Sequence, residues 1–123
     1  MPTYLDEVHE KWLTASGLEL AATMREGIVT SEELTELHIQ RIEEVNPTIN
    51  AVVAERFDEA RDEAKRADEE ASRGEWRGPY HGVPCTIKEC FALEGMPNAA
   101  GLVARKDVIA ESDATTVARM RAA

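Results

Sequence analysis

A lysine closes the apolar run Pro84-Cys85-Thr86-Ile87-Lys88, and glycine and proline turns stand on both sides of it, at Gly78-Pro79, Gly82-Val83-Pro84 and Gly95-Met96-Pro97. Burying an ammonium group costs several kcal/mol unless it is paired or uncharged. Desolvation favours the neutral amine and lowers its pKa, which is what a lysine needs if it is to accept a proton near neutral pH. Residue type and setting therefore make Lys88 a candidate general base. Spacing alone also fits a lysine that snorkels to water or pairs with Glu89, and that is the commoner arrangement at a strand end.

The other reactive side chains read as structural. His81, between Tyr80 and Gly82 in a turn, is expected to pack or hydrogen-bond locally rather than to move protons. His9 and His38 lie in helical, acid-rich surroundings with no partner at metal-ligand spacing. Thr86 and Cys90 share strand parity with Lys88 if extension continues, which would line one cavity with all three. Cys90 lacks the nearby base that a nucleophilic thiolate requires. Cys85 and Cys90 are the only cysteines, too few for a zinc site and too close together to staple a fold; reduced thiols in or near a core are expected. The four serines, Ser16, Ser31, Ser72 and Ser112, fall at helix starts or on a charged helix, and none is a credible nucleophile.

The elements that must position Lys88 are mostly helices. Ser16-Gly17-Leu18-Glu19 and Thr30-Ser31-Glu32-Glu33 both have capping-box spacing. Gly27 is placed to end the first helix, and Asn46-Pro47 to stop the second, whose Leu34, Leu37, Ile42 and Val45 share a face. Asn50-Ala51-Val52-Val53-Ala54 reads as a short strand. From about Glu55 to Arg73, Phe57, Ala60, Ala64, Ala67 and Ala71 form a narrow seam of mostly small side chains, with charged residues covering the rest as a solvated face. At Gly74 the character changes to turns around one strand candidate, 84–88. A final helix starts near Ser112-Asp113, one of which is expected to cap it, with Ala114, Val117 and Arg121 in register.

Composition bounds the function. The 123 residues carry a formal net charge of −10 and 43% hydrophobic side chains, enough for one modest core. Residues 1–73 hold 18 acids and 8 bases, whereas residues 74–123 hold 6 of each. Such a balance argues against a nucleic-acid or anionic-membrane surface, since both are polyanions that need clustered Lys and Arg. No run approaches the roughly 20 apolar residues of a membrane span, and the start lacks signal-peptide character, so a cytoplasmic location is expected. Strand edges without enough neighbours, and a last helix that runs to Ala123 without a stop signal, point to a chain cut from a longer α/β protein.

Four landmarks in order, Gly78-Pro79-Tyr80-His81-Gly82-Val83-Pro84, Ile87-Lys88-Glu89, Gly95 to Gly101, and Ser112-Asp113-Ala114-Thr115-Thr116-Val117-Ala118, resemble the opening of amidase-signature enzymes. The likeness extends upstream through the Leu18-Glu19-Leu20 helix and covers nearly all but the first fifteen or so residues. It implies a mixed-sheet α/β/α sandwich, of which residues 1–73 would be a helical lead-in and 74–123 a glycine-rich strand–loop–helix segment. The implied activity is cleavage or transfer of carbon–nitrogen amide bonds by a Ser–cis-Ser–Lys triad without metal or organic cofactor. Lys88 takes the place of the triad lysine, and the substrate would be a small-molecule or acyl amide. The family's glycine-rich double-serine segment is absent, so this chain alone is expected to be inactive. Glu89 stands where many members have Asp, and Leu102 where many have Ser; together with Met96-Pro97-Asn98 these look more like the fatty-acid amide hydrolase branch than the tRNA-dependent amidotransferases. The competing expectation is a helical interaction module or truncated gene product without catalysis.

Overall fold

The computed structural model describes residues 4–123. Among them lie five α-helices, α1 (Tyr4–Thr14), α2 (Gly17–Arg25), α3 (Ser31–Ile49), α4 (Phe57–Ser72) and α5 (Thr115–Ala122), and a 3₁₀ turn at Val103–Arg105. Both capping boxes form: the Ser16 and Thr30 hydroxyls accept from the Glu19 and Glu33 amides, and each glutamate accepts from its cap residue's N–H. Gly27 follows α2 at φ 70°, as the stop signal requires.

Three expectations need correction. Pro47 does not stop α3. The helix runs through it to Ile49 and ends at Asn50, which adopts φ 49° and donates its N–H to the Asn46 carbonyl at 2.7 Å. A proline near the C-terminal end removes only one ladder bond, and a left-handed asparagine then supplies the cap. Neither 50–54 nor 84–88 is a strand among the described residues; an extended segment becomes one only when a neighbour takes up its N–H and C=O groups. The one bridge among the described residues is antiparallel, Pro97 with Ile109. The sandwich sheet is thus an inference from family resemblance and no part of what is described. Finally, Ala114 rather than Ser112 or Asp113 occupies the cap position of α5, without a side-chain cap bond.

The chain divides into two compact units. The first comprises residues up to Ala51 together with Arg56–Pro84. Its core is Leu20, Met24, Val29 and Leu34, with Trp12, Ala15 and Val83 packed against it. The alanine seam of α4 behaves as its spacing demands: Ala64 and Ala67 are buried and α4 packs along α3. The second unit comprises Val52–Glu55 and Cys85–Ala123. It buries Ala110 and Val117 but leaves Phe91, Leu102, Val103, Ile109 and Met120 exposed. No helix among the described residues is long and apolar enough to cross a membrane.

Candidate active site

Two backbone anchors precede and follow Lys88 in the chain. The first holds the turn from Gly78 to Gly82 in the helical unit. Ser31, in the first turn of α3, is 2% exposed and donates its hydroxyl to the Gly82 carbonyl at 2.6 Å. Gly82 has φ +77°, and a Cβ there would meet Ser31 Cβ at 3.1 Å and Met24 Sδ at 3.3 Å. Both the conformation and the space exclude a side chain. Asp68 of α4 completes the anchor, its Oδ1 and Oδ2 accepting from the Ser31 and Glu32 amides at 2.8 and 2.9 Å. These are helix N-terminal donors with no partner inside α3, so a carboxylate there is favourable both as acceptor and as charge.

His81 closes the same turn from inside, with 5% of its surface exposed. Its Nε2 donates to the Ala67 carbonyl at 2.8 Å and its Nδ1 accepts from the Arg77 amide at 3.2 Å. A carbonyl can only accept, so the proton is on Nε2 and both ring nitrogens are committed. The Trp76 ring meets the imidazole edge-on, and the Arg25 guanidinium lies 4.5 Å over Trp76 while donating to Gly78 O at 2.8 Å. The Arg77 fork grips Glu70 through two 2.6 Å bonds, which hold the Glu70 carboxyl below the usual carboxylate range. The expectation of a locally bonded His81 is met.

The second anchor lies in the other unit and is built on Glu89. Its side-chain Oε1 accepts a short bond from the Ala99 amide, and its Oε2 accepts from the Ala100 amide at 2.8 Å. Asn98 Nδ2 donates to the Glu89 carbonyl at 3.0 Å, and the Phe91 amide donates to the Lys88 carbonyl at 2.9 Å. Because the Glu89 oxygens are taken by backbone amides, the carboxylate holds the loop. Ala100 has φ +51° and Gly101 φ +75°, a conformation that turns successive N–H groups toward one anion. Asp113 works similarly, accepting from the Glu94 amide at 2.8 Å and from Arg121 Nε at 2.7 Å.

Lys88 itself is exposed, against the expectation of a desolvated ammonium. The segment 84–88 that carries it is not a strand among the described residues. Thr86 and Cys90 are exposed as well, and Cys85 and Cys90 are surface thiols outside any disulfide rather than core residues. No group of three or more His, Cys, Asp or Glu at metal-binding geometry occurs among the described residues. Three serine hydroxyls have structural tasks: Ser16 in a capping box, Ser31 on Gly82, and Ser72 donating to the Glu69 carbonyl at 2.7 Å.

Sequence reasoning missed Asp68, and it considered Glu89 only as a partner of Lys88 and a family landmark, not as the acceptor of the Ala99 and Ala100 amides. A signal existed for Asp68, which follows Ala64 by one helical turn and so shares the buried seam rather than the solvated face. For Glu89, the partners are backbone amides of a loop ten residues on, and side-chain patterns do not encode them.

Residues 33–123 match the amidase family. The chain belongs to that family. It is 42% identical to fatty-acid amide hydrolase 2 of Homo sapiens, over 94% of this chain and 23% of that protein. Indoleacetamide hydrolase of Bradyrhizobium diazoefficiens is 43% identical over 88% of this chain and 21% of its own length. One component of the glutamyl-tRNA(Gln) amidotransferase of Streptomyces coelicolor is 37% identical over 90% and 22%, respectively. The crystal structure of PAM12A aligns with a TM-score of 0.81 at 32% identity, covering 90% of this amidase-family chain and 23% of that one. The chain thus spans less than a quarter of the length of these relatives.

Proposed function

We propose that this chain is the N-terminal portion of a single amidase domain that hydrolyses carbon–nitrogen amide bonds, and that Lys88 is its proton-relay base. The observation that carries the reading is the family match over residues 33–123, with Lys88 inside it at the position of the triad lysine in Gly82-Val83-Pro84-Cys85-Thr86-Ile87-Lys88. A neutral Lys88 amine accepts a proton from a bridging serine, which in turn deprotonates the serine that attacks the carbonyl carbon. The same relay run in reverse delivers the proton to the departing amine. On this reading both serines, and the cover over Lys88, come from sequence outside these 123 residues. No metal or cofactor enters this scheme.

The hydroxyls of Ser16, Ser31 and Ser72 are engaged in a capping box, on the Gly82 carbonyl and on the Glu69 carbonyl, which supports an inactive 123-residue chain. The identities to the two named hydrolases, 42% and 43%, against 37% for the amidotransferase component, support the hydrolase side, with an acyl or other small-molecule amide as substrate.

The test uses a full-length polypeptide that carries this chain together with the missing family segments. Lys88→Ala is expected to lower kcat for a simple amide by about 10⁴-fold or more, the scale of losing a relay member. Undiminished turnover in that variant would overturn the assignment.

A further inference from the structure

We infer that Glu89 is a positioning residue, whose carboxylate fixes the backbone from which Lys88 projects by gripping the loop at Ala99 and Ala100. The inference rests on the reading of Lys88 as the base. A lysine amine sits at the end of a flexible four-carbon stem, so its placement depends first on the direction of its Cα–Cβ bond. Here that bond leaves a dipeptide whose two carbonyls and one carboxylate are all engaged. The Lys88 carbonyl takes the Phe91 amide at 2.9 Å and the Glu89 carbonyl takes Asn98 Nδ2 at 3.0 Å. The two Glu89 carboxylate oxygens take the Ala99 and Ala100 amides. Asn98 is itself oriented, since Arg105 Nη2 donates to its backbone carbonyl at 3.1 Å and reaches its side-chain oxygen at 3.4 Å. That leaves the amide nitrogen of Asn98 facing Glu89.

The carboxylate is the strongest element of this arrangement, because bonds to an ionised acceptor are about twice as strong as neutral ones. It is also the element whose loss does most to the loop. Without the anion, two converging N–H groups at Ala99 and Ala100 face each other unpaired. A glutamine keeps one acceptor but turns an NH₂ toward the second amide, so it restores half the grip.

Two measurements decide the matter. In the 123-residue chain, amide hydrogen exchange is expected to accelerate at Ala99 and Ala100 in Glu89→Ala, and at one of the two in Glu89→Gln; unchanged protection in both variants would overturn the clamp. In the full-length polypeptide, Glu89→Ala is expected to lower kcat by about 10²-fold with KM little changed, the effect of a misplaced catalytic group. Glu89→Gln should fall between the parent and Glu89→Ala in kcat, again with KM little changed. If Lys88→Ala abolishes turnover while Glu89→Ala leaves kcat in place, the positioning role alone is wrong. If Lys88→Ala is itself active, the base assignment has failed and takes this inference with it.

Discussion

Two carboxylates in this chain do the same job in different surroundings. Asp68 accepts the Ser31 and Glu32 amides at the start of α3, and Glu89 accepts the Ala99 and Ala100 amides in a loop. Around Asp68, the helical unit buries Leu34, Val29, Ala64 and Ala67, and the turn it supports is also held by Ser31, His81 and Arg25. Around Glu89, the second unit buries only Ala110 and Val117 among its described apolar residues and leaves large apolar side chains in water. Asp68 therefore adds to a structure that apolar burial already specifies, whereas Glu89 supplies order that burial does not. The segment carrying the candidate base depends on polar bonds, and a single charge there has more to do.

The sharpest way to break this comparison is at Gly82. If close packing defines the helical unit, Gly82→Ala must force a left-handed alanine against Ser31 and Met24. The conformational cost of about 1–2 kcal/mol and a similar cost of crowding predict a loss of about 3 kcal/mol in urea unfolding. A loss under about 1 kcal/mol would mean that the turn is not packed as described. Asp68→Ala comes next. It strips the acceptor from two helix N-terminal donors but leaves the core intact, so about 1.5 kcal/mol is expected, with faster exchange of the Ser31 and Glu32 amides. A larger effect than that of Gly82→Ala would reverse the ranking of packing over polar bonds in this unit.

What was legible in the sequence follows the same division. Both capping boxes could be read from four residues each, because donor and acceptor are three positions apart, and the alanine seam of α4 could be read from its period. His81 could be placed as a bonded turn residue, though not its partner Ala67 on another element. Pro47 misled because the rule for stopping a helix assumes an interior position, and here the helix needed only a last short stretch to reach the left-handed Asn50. The strand at 84–88 and the burial of Lys88 presume neighbours that contribute hydrogen bonds and cover, and no local pattern shows where those are. The same holds for the thiols: an apolar run predicts burial only if something lies over it. The carboxylate clamp beside Lys88 was not legible, since its partners are main-chain groups of any residue type.

The smallest expected effect tests whether the loop at Glu89 is shaped by its anion or by its own residues. Ala100 sits at φ +51°, where an L side chain is disfavoured by about 1–2 kcal/mol, and glycine adopts that region without the clash. Glycine also loses more chain entropy on folding, by about 0.4–1 kcal/mol. The difference predicts that Ala100→Gly stabilises the chain by about 0.5 kcal/mol, read as a small rise in the urea midpoint. Combined with Glu89→Ala, the gain should shrink, because a loop without its anion lets the alanine leave the left-handed region and shed the strain that glycine relieves. Strict additivity of the two substitutions would mean that Glu89 and Ala100 are not coupled, and that the turn keeps its shape whether or not the carboxylate is there.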